Sequence, residues 1–115
     1  MGETIFSKII RKEIPADIVY ESENVLAFKD INPQAPVHIL IIPKIEIPRI
    51  SDLNLDKHSE ILSEIFSTAN KLAKDFQIDK DGYRLVFNCG SNGGQEVEHL
   101  HLHLLGGRQM KWPPG

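Results

Sequence analysis

The chain has 115 residues, 41% hydrophobic and 25% charged, with a formal net charge of -3. That length supports one domain with one real core, and the acidic balance argues against a nucleic-acid partner held on a broad basic surface. The single cysteine excludes an internal disulfide framework and fits a reducing, cytoplasmic setting. No apolar run approaches the ~18–20 residues of a membrane span, and the start of the chain lacks a signal peptide's apolar stretch, so no membrane partner is expected.

Thr4 is placed to cap a short helix whose apolar residues Ile5, Phe6, Ile9 and Ile10 recur at helical spacing, with Pro15 beyond its end. Two short strands, Ile18–Glu21 and Val25–Lys29, follow around the polar Ser22-Glu23-Asn24 turn. Asp30-Ile31-Asn32-Pro33 breaks the pattern. Residues 37–42 are β-branched and mostly apolar, closed by Pro43, which predicts a strand buried on both faces. Residues 44–54 read as a connector punctuated by Pro48.

From 56 to 76, Ile61, Leu62, Ile65, Phe66, Ala69, Leu72, Ala73 and Phe76 obey the i, i+3, i+4 rule of a long amphipathic helix. His58, near its start, reads as a solvated surface residue. Asp81-Gly82 turns into a strand over 83–88, then a glycine-rich loop through Gln95, then a histidine-bearing strand to about Leu105. The Gly- and Pro-rich tail ends the pattern. These elements predict an α+β fold: a mostly antiparallel sheet of about five strands, one long helix and a short N-terminal helix. The apolar tail around Trp112 suggests docking onto a second copy.

Three of the chain's five histidines, His99, His101 and His103, alternate with Leu100, Leu102 and Leu104. On a strand, side chains alternate between faces, so the imidazoles share one face and the leucines point into a core. Same-face neighbours lie roughly 6.6 Å apart at a rise of ~3.3 Å per residue. Two neighbours can share a tetrahedral zinc, but the outer pair would splay apart, so a metal site needs a further ligand such as His38. Cys89 stands without a C-x-x-C partner. A metal site and a metal-free catalytic site therefore both remain open from spacing. The Asn88-Cys89-Gly90-Ser91-Asn92-Gly93-Gly94-Gln95 loop beside the row suggests a phosphate held next to a nucleophile.

Asn88 to Gly106 reads N-C-G-S-N-G-G-Q-E-V-E-H-L-H-L-H-L-L-G, which resembles the signature of the histidine triad (HIT) family. Similar blocks run through Thr4–Ile10, Ala27–His38 and Gly106–Gly115. The ending resembles the Hint branch, the purine nucleoside phosphoramidases, more than the dinucleoside polyphosphate hydrolases. The resemblance implies a single HIT domain over 1–115, a two-fold homodimer, a purine nucleotide of AMP or GMP type as ligand, and hydrolysis of nucleoside 5′-phosphoramidates or aminoacyl adenylates. No metal or other cofactor is implied.

By the same resemblance His101 is the nucleophile that forms a nucleotidyl-histidine. His103 and the glycine-loop backbone hold phosphate oxygens, and His38 and His99 fix the working tautomer. Asp30 binds the ribose hydroxyls, and Phe6, Ile9, Phe28 and Ile31 form the base slot. Asn88, Gly94, Gln95, Glu96 and Val97 lie against the substrate, and Trp112 lies near the leaving group of the partner's site. Two positions depart from the pattern: Glu96 replaces a hydroxyl residue, and Glu98 replaces an aromatic. A carboxylate beside a phosphate repels it, so Glu96 bears on rate and leaving-group preference. The alternatives are a nucleotide-binding interaction module with little turnover, a dinucleoside polyphosphate hydrolase and a metal-dependent hydrolase.

Overall fold

The computed structural model describes residues 3–115. Thr4 caps α1 (Ile5–Ile10): its hydroxyl accepts from the Ser7 N–H at 3.2 Å, and the Ser7 hydroxyl accepts from the Thr4 N–H at 3.2 Å. This reciprocal cap satisfies donors that a helix end leaves without partners. The strands β1 (Ile18–Glu21), β2 (Val25–Lys29), β3 (Val37–Pro43), β4 (Tyr83–Phe87) and β5 (Leu102–Gly106) form one antiparallel sheet in the order β1-β2-β3-β5-β4. The long helix α2 (Leu55–Asp75) starts at Asn54, whose side chain accepts from the N–H groups of Asp56 and Lys57.

The period-two alternation of the strands sorts the core into two layers. Val25, Ala27, Ile39, Ile41, Leu102 and Leu104 face α2 and pack on Ile65, Ala69, Leu72 and Ala73. Leu26, Phe28, Leu40 and Ile42 face the other way and pack on Phe6 and Ile9 of α1. β3 is thus buried on both faces, as its composition predicts. Full burial of each Leu or Ile contributes roughly 1.5–3 kcal/mol, so both layers hold the central strands in place. Among the described residues no helix is long and apolar enough to cross a membrane.

The expected histidine strand is corrected in its extent. β5 begins at Leu102, so His103 lies on the strand while His99 and His101 precede it. The reason is Pro43. The last β3–β5 pair is Ile41 with Leu102, and Pro43 has no N–H with which to extend the ladder. The Leu100 N–H instead donates to the Ile47 carbonyl at 2.6 Å, and the His99 side chain takes the Pro43 carbonyl. The alternation nevertheless persists. Leu100 joins the α2-side core, while the His99 and His101 rings meet Phe6 of α1 edge-on at 6.1 and 5.0 Å.

Candidate active site

Hydrogen bonds to groups that can only donate or only accept locate the imidazole protons. The Gln34 backbone N–H donates to His38 Nδ1 at 3.0 Å, so the His38 proton is on Nε2. His38 Nε2–H then donates to His103 Nδ1 at 3.0 Å, with an Asp30 carboxylate oxygen 3.5 Å from the same nitrogen. His103 in turn carries its proton on Nε2, as a donor for a ligand. His101 Nδ1 lies 2.6 Å from the His99 carbonyl oxygen, which can only accept. Nδ1 therefore donates, and His101 Nε2 keeps a bare lone pair. His99 donates from Nε2 to the Pro43 carbonyl at 2.8 Å.

Burial pushes the pKa of His38, His99, His101 and His103 below the usual histidine value, His103 to about 4. For His103 the neighbouring His101 and His38 add to the depression, while Asp30 opposes it. All four are neutral at pH 7. These groups bind protons more readily unfolded than folded, so the unfolded chain gains stability by protonation as pH falls. The melting temperature is accordingly expected to hold above pH 6.5 and to drop between about pH 6.5 and 4. Calorimetric scans across that range check this; a flat profile would contradict buried neutral histidines.

Two adjoining pockets meet at His101 and His103. A polar one of about 290 Å³ is lined by Asp30, Gln34, His38, Asn88, Gly94 and Glu96 among others. An apolar one of about 360 Å³ contains Phe6, Ile9, Phe28, Ile31, Leu40 and Val97. Asp30 and Glu96 line both. Asp30 Oδ1 accepts from the Asn32 N–H at 2.8 Å, which holds the carboxylate at this junction. Ile31 is 95% exposed at the rim.

The glycine loop is held rigidly. Gly90 and Gly94 have φ of +71° and +79°, where an L side chain is strained. A Cβ at Gly93 would sit 2.3 Å from the Cys89 carbonyl oxygen. The N–H groups of Gly94 and Gln95 donate to the Ser91 and Gly90 carbonyls, and that of Gly90 donates to the Gln95 side chain. Those three donors are engaged within the loop, so a phosphate held by them would replace these bonds. Gln95 also donates to the carbonyls of Pro48 and Val97, at 2.7 and 3.0 Å. Its side chain ties the loop to the 44–54 connector and does not line the polar pocket. Asn88 donates to the Gly93 carbonyl at 2.7 Å while lining that pocket.

His38 bonds His103, not His101, and the His99 contact with His101 runs through the backbone carbonyl. Glu98 pairs with Arg49 at 3.0 Å, outside both pockets. Trp112 is 83% exposed and lines neither pocket of its own chain. His58 accepts from the Asn54 N–H at 3.0 Å at the start of α2, far from the chemistry in role. The sequence reading did not single out Gln34 for the His38 proton. Its signal was local: Gln34 stands four residues before His38 on a Pro33–Pro36 turn.

Among the described residues, Asp30, His38 and His103 each offer a ligand atom within 4.8 Å of the others, a candidate metal cluster. The proton positions oppose it. His38 faces this cluster through Nε2, which bears the proton because Nδ1 accepts from Gln34. Ligation through that atom requires breaking the Gln34 bond, so the cluster does not fit a resident zinc.

The HIT domain profile matches residues 11–110. The chain is 56% identical to the purine nucleoside phosphoramidase of Escherichia coli (strain K12) over 108 residues, covering 94% of this chain and 90% of that protein. It is 55% identical to a 14 kDa zinc-binding protein of Zea mays over 114 residues, covering 97% and 88%. A HIT family hydrolase from Legionella pneumophila has a similar crystal structure, with a TM-score of 0.95 and 58% identity, covering 98% of this chain and 100% of that one.

Proposed function

The chain belongs to the HIT domain family, and on that premise we propose that it hydrolyses the P–N bond of purine nucleoside 5′-phosphoramidates, with aminoacyl adenylates as related substrates. The carrying observation is the 2.6 Å bond from His101 Nδ1 to the His99 carbonyl. It leaves an uncharged imidazole with a free Nε2 where a polar pocket meets an apolar one. The base enters among Phe6, Ile9, Phe28 and Ile31, and Asp30 accepts from the ribose hydroxyls.

His101 Nε2 attacks the α-phosphorus. Its bond to phosphorus forms as the P–N bond to the amine breaks, and the departing nitrogen takes a proton from solvent, which the water of the second step gives back. The nucleotidyl-histidine is then opened by water, which leaves its oxygen on phosphorus and returns the imidazole. A covalent intermediate divides one hard displacement into two easier ones. His103 Nε2–H donates to the phosphoryl oxygens, where negative charge grows in each transition state. His38, held by Gln34, keeps the His103 proton on that nitrogen. No step requires a metal. The test is turnover of a fluorogenic adenosine phosphoramidate in chelator, with acid-quenched protein weighed for an adenylyl adduct. Turnover lost to chelator and restored by zinc would reject the metal-free reading, and tight nucleotide binding without turnover would favour a binding module.

The working unit in this reading is a homodimer. β4 is an edge strand, its residues are half-buried on both sides, and Phe66 of α2 stands 40% exposed with its ring 6.1 Å from Phe87. An edge flanked by apolar surface invites pairing with a second copy across a two-fold axis. The tail runs beside the same edge, since Arg84 donates to the Lys111 carbonyl at 2.9 Å, which would bring Trp112 toward the partner's site. Sedimentation is expected to give a two-chain particle; a monomer at micromolar concentration would refute this.

A further inference from the structure

We propose that Glu96 makes the site selective for phosphoramidates whose leaving amine carries a second, positively charged group, such as an ammonium. The inference rests on the phosphoramidase reading and names the substrate class within it. Asp30 and Glu96 are the charged side chains lining the polar pocket; among the described residues no Lys or Arg lines it. The histidines there are neutral at pH 7, for the burial reasons given above. A pocket for a phosphoryl group thus carries two negative charges and no fixed positive one.

The two carboxylates are not equivalent. Asp30 is held by the Asn32 N–H and faces His38 at 3.5 Å, in position for the ribose. Glu96 is exposed and joins no ion pair among the described residues. The nearby carboxylate Glu98 is neutralised by Arg49 at 3.0 Å, so it adds little field to the pocket. Lys29, which lines the neighbouring apolar pocket, is 50% exposed and 3.7 Å from Asp17. That leaves the charge of Glu96 uncompensated at the pocket mouth. Asp30 and Glu96 line the same pocket as His101 and both raise its pKa against burial, so both carboxylates lie within electrostatic reach of that ring.

A sphere of about 290 Å³ is roughly 8 Å across, comparable with the ~8 Å Debye length at physiological salt, so Glu96 and a charge on the leaving group interact with only partial screening. An ammonium on the leaving group offsets the repulsion between Glu96 and the phosphoryl oxygens. A neutral group leaves it, and a carboxylate adds to it. Specificity here is a difference between attraction for one leaving group and repulsion of another.

The test compares three adenosine phosphoramidates of matched size, with leaving amines bearing an ammonium, a neutral amide or a carboxylate, on wild type, Glu96→Gln and Glu98→Gln. Wild type is expected to rank them cation, neutral, anion, with at least ~10-fold in kcat/KM between the first and last, narrowing as salt rises. Glu96→Gln is expected to compress that span to within about threefold, and Glu98→Gln to retain it. Equal rates for the three on wild type would overturn the inference while leaving the phosphoramidase reading intact. A ranking that survives Glu96→Gln would remove Glu96 as its source. No turnover of any of the three would overturn both.

Discussion

Replacing His101 with alanine is expected to reduce phosphoramidate turnover by at least ~10⁴-fold, the scale lost when a covalent nucleophile is removed. Nucleotide affinity should change by less than about tenfold, or ~1.4 kcal/mol. In the proposed mechanism the two effects separate, because His101 would supply the attacking Nε2 whereas the apolar slot and Asp30 would hold the base and ribose. His101 packs edge-on against Phe6 and His103, each with ring centroids 5.0 Å away, so the truncation opens a small gap without exposing a charge. The adenylyl adduct expected on the wild-type protein should be missing from the variant. A variant that turns over at near wild-type rate, or still forms the adduct, would dismiss His101 as nucleophile.

His103→Leu is expected to lower kcat by roughly 10²–10³-fold with a smaller change in KM, as for removal of one preorganised donor to a developing charge. Leucine fills the space but presents no N–H. It also leaves the His38 Nε2–H without the Nδ1 that it meets at 3.0 Å. His103→Gln should recover part of the rate, since an amide can present an N–H and accept from His38 with one group. Loss of KM alone, with kcat retained, would mean that His103 binds ground state and transition state equally and is not a charge stabiliser.

Local rules placed most of the elements. α1 starts where Thr4 can cap it, and α2, capped by Asn54, follows its apolar stripe from Leu55, one residue ahead of the expected start. The long strand before Pro43 is buried on both faces. The alternation of leucine and histidine after Glu98 foretold that the leucines would enter a core and the imidazoles the opposite face; that core is the one under α2. What failed was the length of that strand, because its pairing partner, β3, ends in a residue with no N–H. Strand pairing is a property of two segments, and the histidine segment alone does not reveal where the other one stops.

The inventory of the site is legible along the chain: the histidine row, Asp30 beside a turn, the glycine loop and the apolar residues of α1 and β2. Spacing, caps and alternation act over a few residues, so they are legible in one dimension. Which imidazole meets which depends on how the distant segments pack. His38 and His103 are 65 residues apart in sequence yet bonded at 3.0 Å, and the proton order along Gln34, His38 and His103 follows from that contact. The same holds for Glu98, neutralised by Arg49 from 49 residues away, and for Glu96, left without such a partner at the pocket mouth. Tautomer and net charge in a pocket depend on through-space distances of a few ångströms, which no local pattern encodes.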